Sequence, residues 1–460
     1  MNKLKILVLS FCLSMSVLPS VAQEFSRYRV SLIDKKGTDA ELSHPEKFLS
    51  ERALQRRQRQ HLPITESDLP VSKVYVNQLL AQGVTLVTSS KWNNTVVVES
   101  QDSLLEDRLA KLPFVKSVRK VWKTPSSVSE KDPNRKDEVT NFLEKQDDSY
   151  GCARQQIAIH GGDRLHEAGF TGKGMQVAVI DAGFYNADTI SFFNHLKLMG
   201  THDFVNAKSD LYAEHEHGMM VLSCMAASQP NTMVGTAPDA SFWLLRSEDN
   251  DTEQPIEEDH WAAAVEFADS VGVDVINTSL GYYSFDEPFW SYKYRELDGH
   301  TSLMSNTASQ IAQKGMVLVC SAGNSGMRSW KKITPPGDAQ DIITVGALRY
   351  NLVNADFSSI GNTADGRVKP DVMAIGESAT VSSGAGTVSE ADGTSFAAPI
   401  FCGVVTCFWQ ACPWLTAKEV VEIVRASGDR SAYPDNIYGY GVANLWEAYQ
   451  KCLQKKEVGL

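Results

Sequence analysis

Basic residues are in short supply in this chain. Its 44 Lys and Arg stand against 56 Asp and Glu, a net charge of −12. A nucleic-acid partner needs a basic face, so that class is excluded for the acidic body of the protein. Long apolar runs are also lacking: the longest, Ile6–Leu18, falls short of the roughly 20 residues that span a bilayer, so no membrane span is expected in the mature protein. There is no internal repeat and no low-complexity tract. No cysteine stands at metal-ligand spacing from a histidine. His215 and His217 lie two apart, so they do not share a helix face and make a weak zinc pair. Gly-x-Ser-x-Gly is absent, which argues against the lipase and esterase type of nucleophile elbow.

What is present is enough for two folded units. The chain has 460 residues, 43% of them hydrophobic, more than one domain of ordinary size needs. Residues 1–22 read as an export signal: Lys3 and Lys5, the apolar run, then Ser20-Val21-Ala22 as a small-residue cleavage site. An exported protein, periplasmic or extracellular, is the expectation. Export permits disulfides, and seven cysteines remain after Cys12 leaves with the signal: Cys152, Cys224, Cys320, Cys402, Cys407, Cys412 and Cys452. An odd number leaves at least one thiol unpaired in a monomer, the expected oligomeric state, and one or two staples plus buried thiols are expected.

Charge is unevenly spread. Residues 24–124 carry 17 basic and 12 acidic side chains, whereas residues 151–460 carry 21 and 37. A segment of +5 and a body of −16 should attract each other. The first segment has its own pattern: strands at Tyr28–Ile33, Val84–Thr88, Thr95–Glu99 and Phe114–Val121, and helices at Pro45–Gln60, Val71–Gln82 and Asp102–Leu112. Arg56, Arg57 and Arg59 are assigned to a solvated helix face, and Trp92-Asn93-Asn94 to a turn. Residues 23–124 are therefore a small α+β domain. Residues 125–149, with Pro125, Pro133 and dense charge, read as an exposed linker suited to proteolysis. Residues 150–460 alternate apolar strands with helices. Continuous Val, Ile and Leu runs indicate an α/β fold, a mostly parallel sheet covered by helices on both faces.

Three motifs carry chemistry. Val177-Ala178-Val179-Ile180-Asp181 is a buried strand ending in a carboxylate, a costly position unless a partner uses the charge. His217-Gly218-Met219-Met220 opens a helix with an imidazole. Gly393-Thr394-Ser395-Phe396-Ala397-Ala398-Pro399 holds a serine at another helix start, where Pro399 fits the early helix. A serine hydroxyl needs a base, and the base an orienting group.

In order and flanking residues these motifs resemble the subtilisin-like serine peptidases, or subtilases, from about Tyr150 to Trp446. The resemblance implies a secreted serine endopeptidase acting through an acyl-enzyme and made as a zymogen. It implies Asp181, His217 and Ser395 as catalytic residues and Asn324, in Ser321-Ala322-Gly323-Asn324-Ser325-Gly326, as the oxyanion donor. Ser279, Leu280 and Gly281 are implied to bind the backbone of polypeptide substrates, with the aromatic run Tyr282–Trp290 as either a cleft wall or packing. Residues 23–124 then correspond to a propeptide acting as intramolecular inhibitor, with activation cleavage between Lys123 and Tyr150. The family often has a second histidine where this chain has Met220, a position expected to pack. No cofactor is required for the chemistry. Structural calcium is possible on the family's precedent but not located, and the acidic stretches Glu248–Asp251 and Glu257–Asp259 are read as solvated. A catalytically inactive binding module on the same fold is the alternative.

Overall fold

The computed structural model describes residues 24–125 and 148–457. The signal read at 1–22 and most of the 125–149 linker, with any cleavage site in it, lie outside the described residues.

The N-terminal unit runs β1 (Ser26–Leu32), α1 (Glu51–Arg59), α2 (Lys73–Leu80), β2 (Thr85–Ser90), β3 (Thr95–Ser100), α3 (Leu105–Leu109) and β4 (Val115–Lys123). Its strands form one antiparallel sheet, ordered β2-β3-β1-β4. Alternation along β3 sorts its two faces. Val96 and Val98 pack with Tyr28, Val30, Leu79 and Leu105 in the unit's own core. Val97 points the other way and joins Val121 and Ile256, a residue of the larger unit. The small sheet therefore uses its second face to sit on its neighbour.

The larger unit follows with α4 (Arg154–Ala158), α5 (Gly162–Glu167), β5 (Gln176–Asp181), β6 (Lys197–Asp203), α6 (His217–Ala226), a short β7–β8 hairpin (Ser228–Gln229, Met233–Val234), β9 (Ser241–Arg246), α7 (Ile256–Val271), β10 (Val275–Thr278) and α8 (Leu303–Ala308). Then come β11 (Val317–Ser321), β12 (Ile343–Leu348), β13 (Val372–Ile375), the β14–β15 hairpin (Ala379–Ser382, Val388–Ala391), α9 (Thr394–Ala411), α10 (Ala417–Ala426) and α11 (Leu445–Glu457). Seven strands make one parallel sheet, ordered β13-β12-β11-β10-β5-β9-β6. Helices cover both faces, as the apolar runs require. Val177, Val179, Val275 and Val317 face α6 and α9. Ala178, Ile180, Ile276 and Leu318 face α7 and α8, and Trp261 of α7 packs in the same cluster. The chain moves outward from β5 on one side, returns through β9, and crosses to β10 on the other. The carboxyl end of β5 is thus the switch point where such sheets bind ligands.

Several sequence expectations change. Arg56 and Arg57 are not solvated: each is 2% exposed and bonded to Asp269 of α7. Glu257, Glu258 and Asp259 are buried as well. Trp92 is more than a turn residue, since its ring enters the core cluster of α7 and α8. No disulfide joins these seven cysteines, six of which are buried, so the expected staples do not form. The aromatic run after Gly281 is mainly packing: Tyr282, Phe285 and Trp290 are buried, while Phe289 is 76% exposed. The helix Thr394–Ala411 is long and apolar enough to cross a membrane, but 94% of it is buried inside the protein.

Candidate active site

Asp181 closes β5 at the switch point and is fully buried. Its Oδ1 accepts the N–H of Ala182 at 2.8 Å and meets His217 Nδ1 at 2.6 Å. Its Oδ2 has no hydrogen-bond partner among the described residues. The carboxylate thus holds the imidazole by Nδ1 and leaves Nε2 to face away from it.

His217 is the first residue of α6. Its N–H donates to His215 Nδ1 at 3.2 Å, so the neighbouring histidine supports the helix start. Gly218 has a more exact reason than room for a substrate. A Cβ there would lie 2.4 Å from Gly183 O and 2.8 Å from Asp181 Cβ. The glycine lets the helix start close onto the strand end that carries the carboxylate. Gly183 serves the same contact from the other side, where a Cβ would meet His215 N at 2.4 Å. Met220 packs in the core, as expected of that position.

Ser395 stands second in α9, after the cap residue Gly393 and Thr394, and is 8% exposed. The ring of Phe396 lies 5.8 Å, centroid to centroid, from that of His217, which brings the serine turn to the histidine. Ser395 Oγ donates to Ser279 O at 3.4 Å, and Ser279 Oγ donates to Ser395 O at 2.7 Å. The second bond has a cause in the sequence. The Ser395 carbonyl would normally accept from residue 399, four positions on. Pro399 has no N–H, so Ser279 takes that place. Pro399 is therefore inside the helix, past its first turn, rather than at the start.

Asn324 follows β11. Its Oδ1 accepts from Thr394 N at 2.9 Å and from Thr394 Oγ1 at 2.8 Å. A backbone N–H can only donate, so this pairing fixes the amide orientation and turns Nδ2 toward the serine turn. Nδ2 lies 3.5 Å from where a Cβ of Gly393 would sit. Ser395 N–H is one of the first four helix amides, which have no acceptor within the helix. Two donors thus come from Asn324 and Ser395 at a helix start, where negative charge is favoured. Thr394 sets this geometry; its hydroxyl also accepts from Gly323 N at 3.1 Å.

Of the residues implied to bind substrate, Ser279 reaches Ser395. The Leu280 side chain belongs to the core, so its part is limited to backbone groups. Gly281 lies against Thr334, whose Oγ1 would be 2.3 Å from an added Cβ. Acidic groups do converge elsewhere: Glu248, Glu253 and Glu257 each offer an oxygen within 4.8 Å of the others. Carboxylates suit calcium, yet three such side chains supply few of the six to eight oxygens that ion takes.

The N-terminal unit closes on this edge through buried ion pairs. Arg29 binds Asp259 with bonds of 2.7 and 2.6 Å, and Lys314 binds Asp68 at 2.8 Å. Ser90 Oγ and the N–H groups of Lys91 and Trp92 all donate to Glu266. The attraction read from the charge asymmetry is realised on α7, where Arg29, Arg56 and Arg57 meet Asp259 and Asp269, while the Asp68–Lys314 pair has the opposite sense.

Comparison with known proteins agrees with this architecture. Residues 172–441 match the model of the subtilase family, and residues 27–138 match the peptidase S8 propeptide domain of Bacteroidota. Serine protease AprX of Bacillus subtilis is 31% identical over 307 residues, a match covering 60% of this chain and 66% of that protein. Subtilisin DY of Bacillus licheniformis is 30% identical over 294 residues, covering 63% of this chain and 95% of that protein. Subtilisin E of Bacillus subtilis is 28% identical over 292 residues, covering 62% and 68%. With its catalytic-type sheet and a propeptide domain ahead of it, the chain belongs to the subtilase family of serine peptidases.

Proposed function

We propose that Ser395 is the nucleophile, His217 the general base and Asp181 the group that orients it. His217 Nε2 takes the Ser395 proton as Oγ attacks the scissile carbonyl. The tetrahedral oxyanion is held by Asn324 Nδ2 and Ser395 N–H. His217 then gives the proton to the leaving amine, and an acyl-enzyme remains at Ser395. Water, deprotonated by the same imidazole, releases the acid and restores the serine. Asp181 holds the Nδ1–H tautomer and offsets the charge of the imidazolium. Backbone groups of Ser279, Leu280 and Gly281 pair with an extended peptide, which accepts many sequences.

The observation that carries this reading is the 2.6 Å contact of His217 Nδ1 with buried Asp181, beside the helix turn that bears Ser395. Nothing at the site favours an inactive binding module. The N-terminal domain is the intramolecular inhibitor, cleaved from the catalytic unit between Lys123 and Tyr150. Export through residues 1–22 to the periplasm or the medium belongs to the same reading.

Expression of the full chain tests it. The wild type converts to a mature form that hydrolyses an unfolded protein, and Ser395→Ala accumulates precursor with no hydrolysis. Normal processing of Ser395→Ala would assign maturation to another protease, and residual hydrolysis would remove Ser395 as nucleophile.

A further inference from the structure

The end of the propeptide sheet is held by the catalytic unit in a way that reads one side chain. β4 is an edge strand, so its outer backbone groups are open to a partner. At Lys123 one side chain takes both of them. Lys123 N–H donates to Gln254 Oε1 at 2.9 Å, and Gln254 Nε2 donates to Lys123 O at 3.2 Å. An amide that binds the N–H and C=O of one residue acts as a strand partner one residue long, and it is indifferent to the side chain. The Lys123 side chain is met separately, by an ion pair with Glu287.

These two contacts come from loops at the catalytic edge of the sheet. Gln254 lies in the loop leaving β9, and Glu287 in the segment leaving β10; the two strands flank β5. The first loop starts beside the end of β5, where Ser247 N–H donates to the main-chain carbonyl of Asp181 at 3.0 Å. The loops are also tied together. Glu253 N–H donates to Asp286 Oδ2 at 3.0 Å, and Asp286 N–H donates to Glu253 O at 2.9 Å. The loops that carry Gln254 and Glu287 are thereby held together, and Glu287 is the carboxylate that meets the Lys123 ammonium.

We propose that Gln254 and Glu287 form a substrate subsite for a basic side chain on the acyl side of the scissile bond, and that Lys123 is the propeptide's own occupant of it. The inference rests on the peptidase reading above. Cleavage beyond Lys123 leaves that residue on the N-terminal, acyl side. Gln254 fixes the backbone of whatever residue enters, and Glu287 selects Lys or Arg over Glu. The side chains of Lys123 and Glu287 are 46% and 30% exposed, so water and salt weaken the preference: neutralising Glu287 changes it about threefold to fivefold, and reversing its charge changes it more.

The test profiles mature enzyme, prepared from the full chain, on a peptide library at 0.05 and 0.5 M salt. Wild type, Glu287→Gln and Glu287→Lys are compared. Wild type is expected to favour Lys and Arg over Glu at one acyl-side position, less so at high salt. Glu287→Gln flattens that preference and Glu287→Lys inverts it. In the full chain, Lys123→Glu slows conversion of the precursor and Glu287→Lys restores it. Active enzyme with no charge preference on the acyl side, or a preference that Glu287→Lys leaves as it was, overturns the subsite alone. A wild type that cleaves no peptide overturns the peptidase reading and the subsite with it.

Discussion

Ser279 and Ser395 exchange two hydrogen bonds across the candidate cleft, the Ser279 hydroxyl to the Ser395 carbonyl at 2.7 Å and the Ser395 hydroxyl to the Ser279 carbonyl at 3.4 Å. The first satisfies a buried carbonyl that Pro399 leaves without its helix partner. The second keeps the hydroxyl of the proposed nucleophile against the strand on which a peptide is proposed to lie.

Removal of the Ser279 hydroxyl therefore strands the Ser395 carbonyl. Ser279→Ala should cost about 1–3 kcal/mol of stability. Adding Pro399→Ala restores an N–H four residues on and should recover much of that loss. Denaturant titrations in an inactive Ser395→Ala background measure both. Additive losses in the double variant would contradict the link between Pro399 and Ser279.

Gly218→Ala tests the closeness of α6 to β5. A methyl 2.4 Å from Gly183 O forces His217 away from Asp181. A displacement near 1 Å is enough to lower kcat by about 100-fold. Steady-state kinetics should show that loss with KM little changed. A variant with normal kcat would mean that the contact tolerates more slack than the backbone allows.

Arg29 and Asp259 are both nearly out of water, at 7% and 2% exposure. Losing one partner of such a pair costs about 3–5 kcal/mol. Arg29→Met should thus raise the dissociation rate of the cleaved propeptide by at least about 100-fold. Salt should slow association, which exposed charges steer, and leave dissociation nearly unchanged, because buried pairs are poorly screened. Stopped-flow inhibition kinetics between 0.05 and 0.5 M salt separate the two. A dissociation rate that climbs steeply with salt would contradict the buried interface.

Acid should weaken the fold through His160. Burial pushes its imidazole down from 6.5 to about 4, partly opposed by a 2.9 Å bond to the Ala443 carbonyl. The unfolded chain takes up that proton near pH 6.5 and the folded chain only near 4. Stability from this group is therefore full above pH 6.5 and declines as pH falls toward 4, by about 3 kcal/mol in all. His160→Asn, which keeps a donor to Ala443, should flatten that window in denaturant titrations of the Ser395→Ala protein. An unchanged slope would assign the acid sensitivity elsewhere.

Much of this fold is legible in the sequence, because buried parallel strands are written as unbroken apolar runs. Gln176–Asp181 and Val317–Ser321 announce themselves in this way. Lys197–Asp203 does not: it is the sheet's edge strand, largely exposed, and its polar residues carry no period. The candidate site is legible as three motifs, while the parts that set its geometry are not. Thr394 sits inside the serine motif, but its use depends on Asn324, 70 positions away. Arg56 and Arg57 look solvated on a helix read alone. Their partner Asp269 is more than 200 residues distant, and no local pattern reports a buried ion pair across two domains.

The most direct measurement is covalent labelling of mature enzyme by a fluorophosphonate, mapped by peptide mass spectrometry. A single adduct on Ser395 is expected, absent in Ser395→Ala and slowed at least about 1000-fold in His217→Ala. An adduct on another residue, or labelling that survives Ser395→Ala, would contradict the assignment of Asp181, His217 and Ser395 as one catalytic unit.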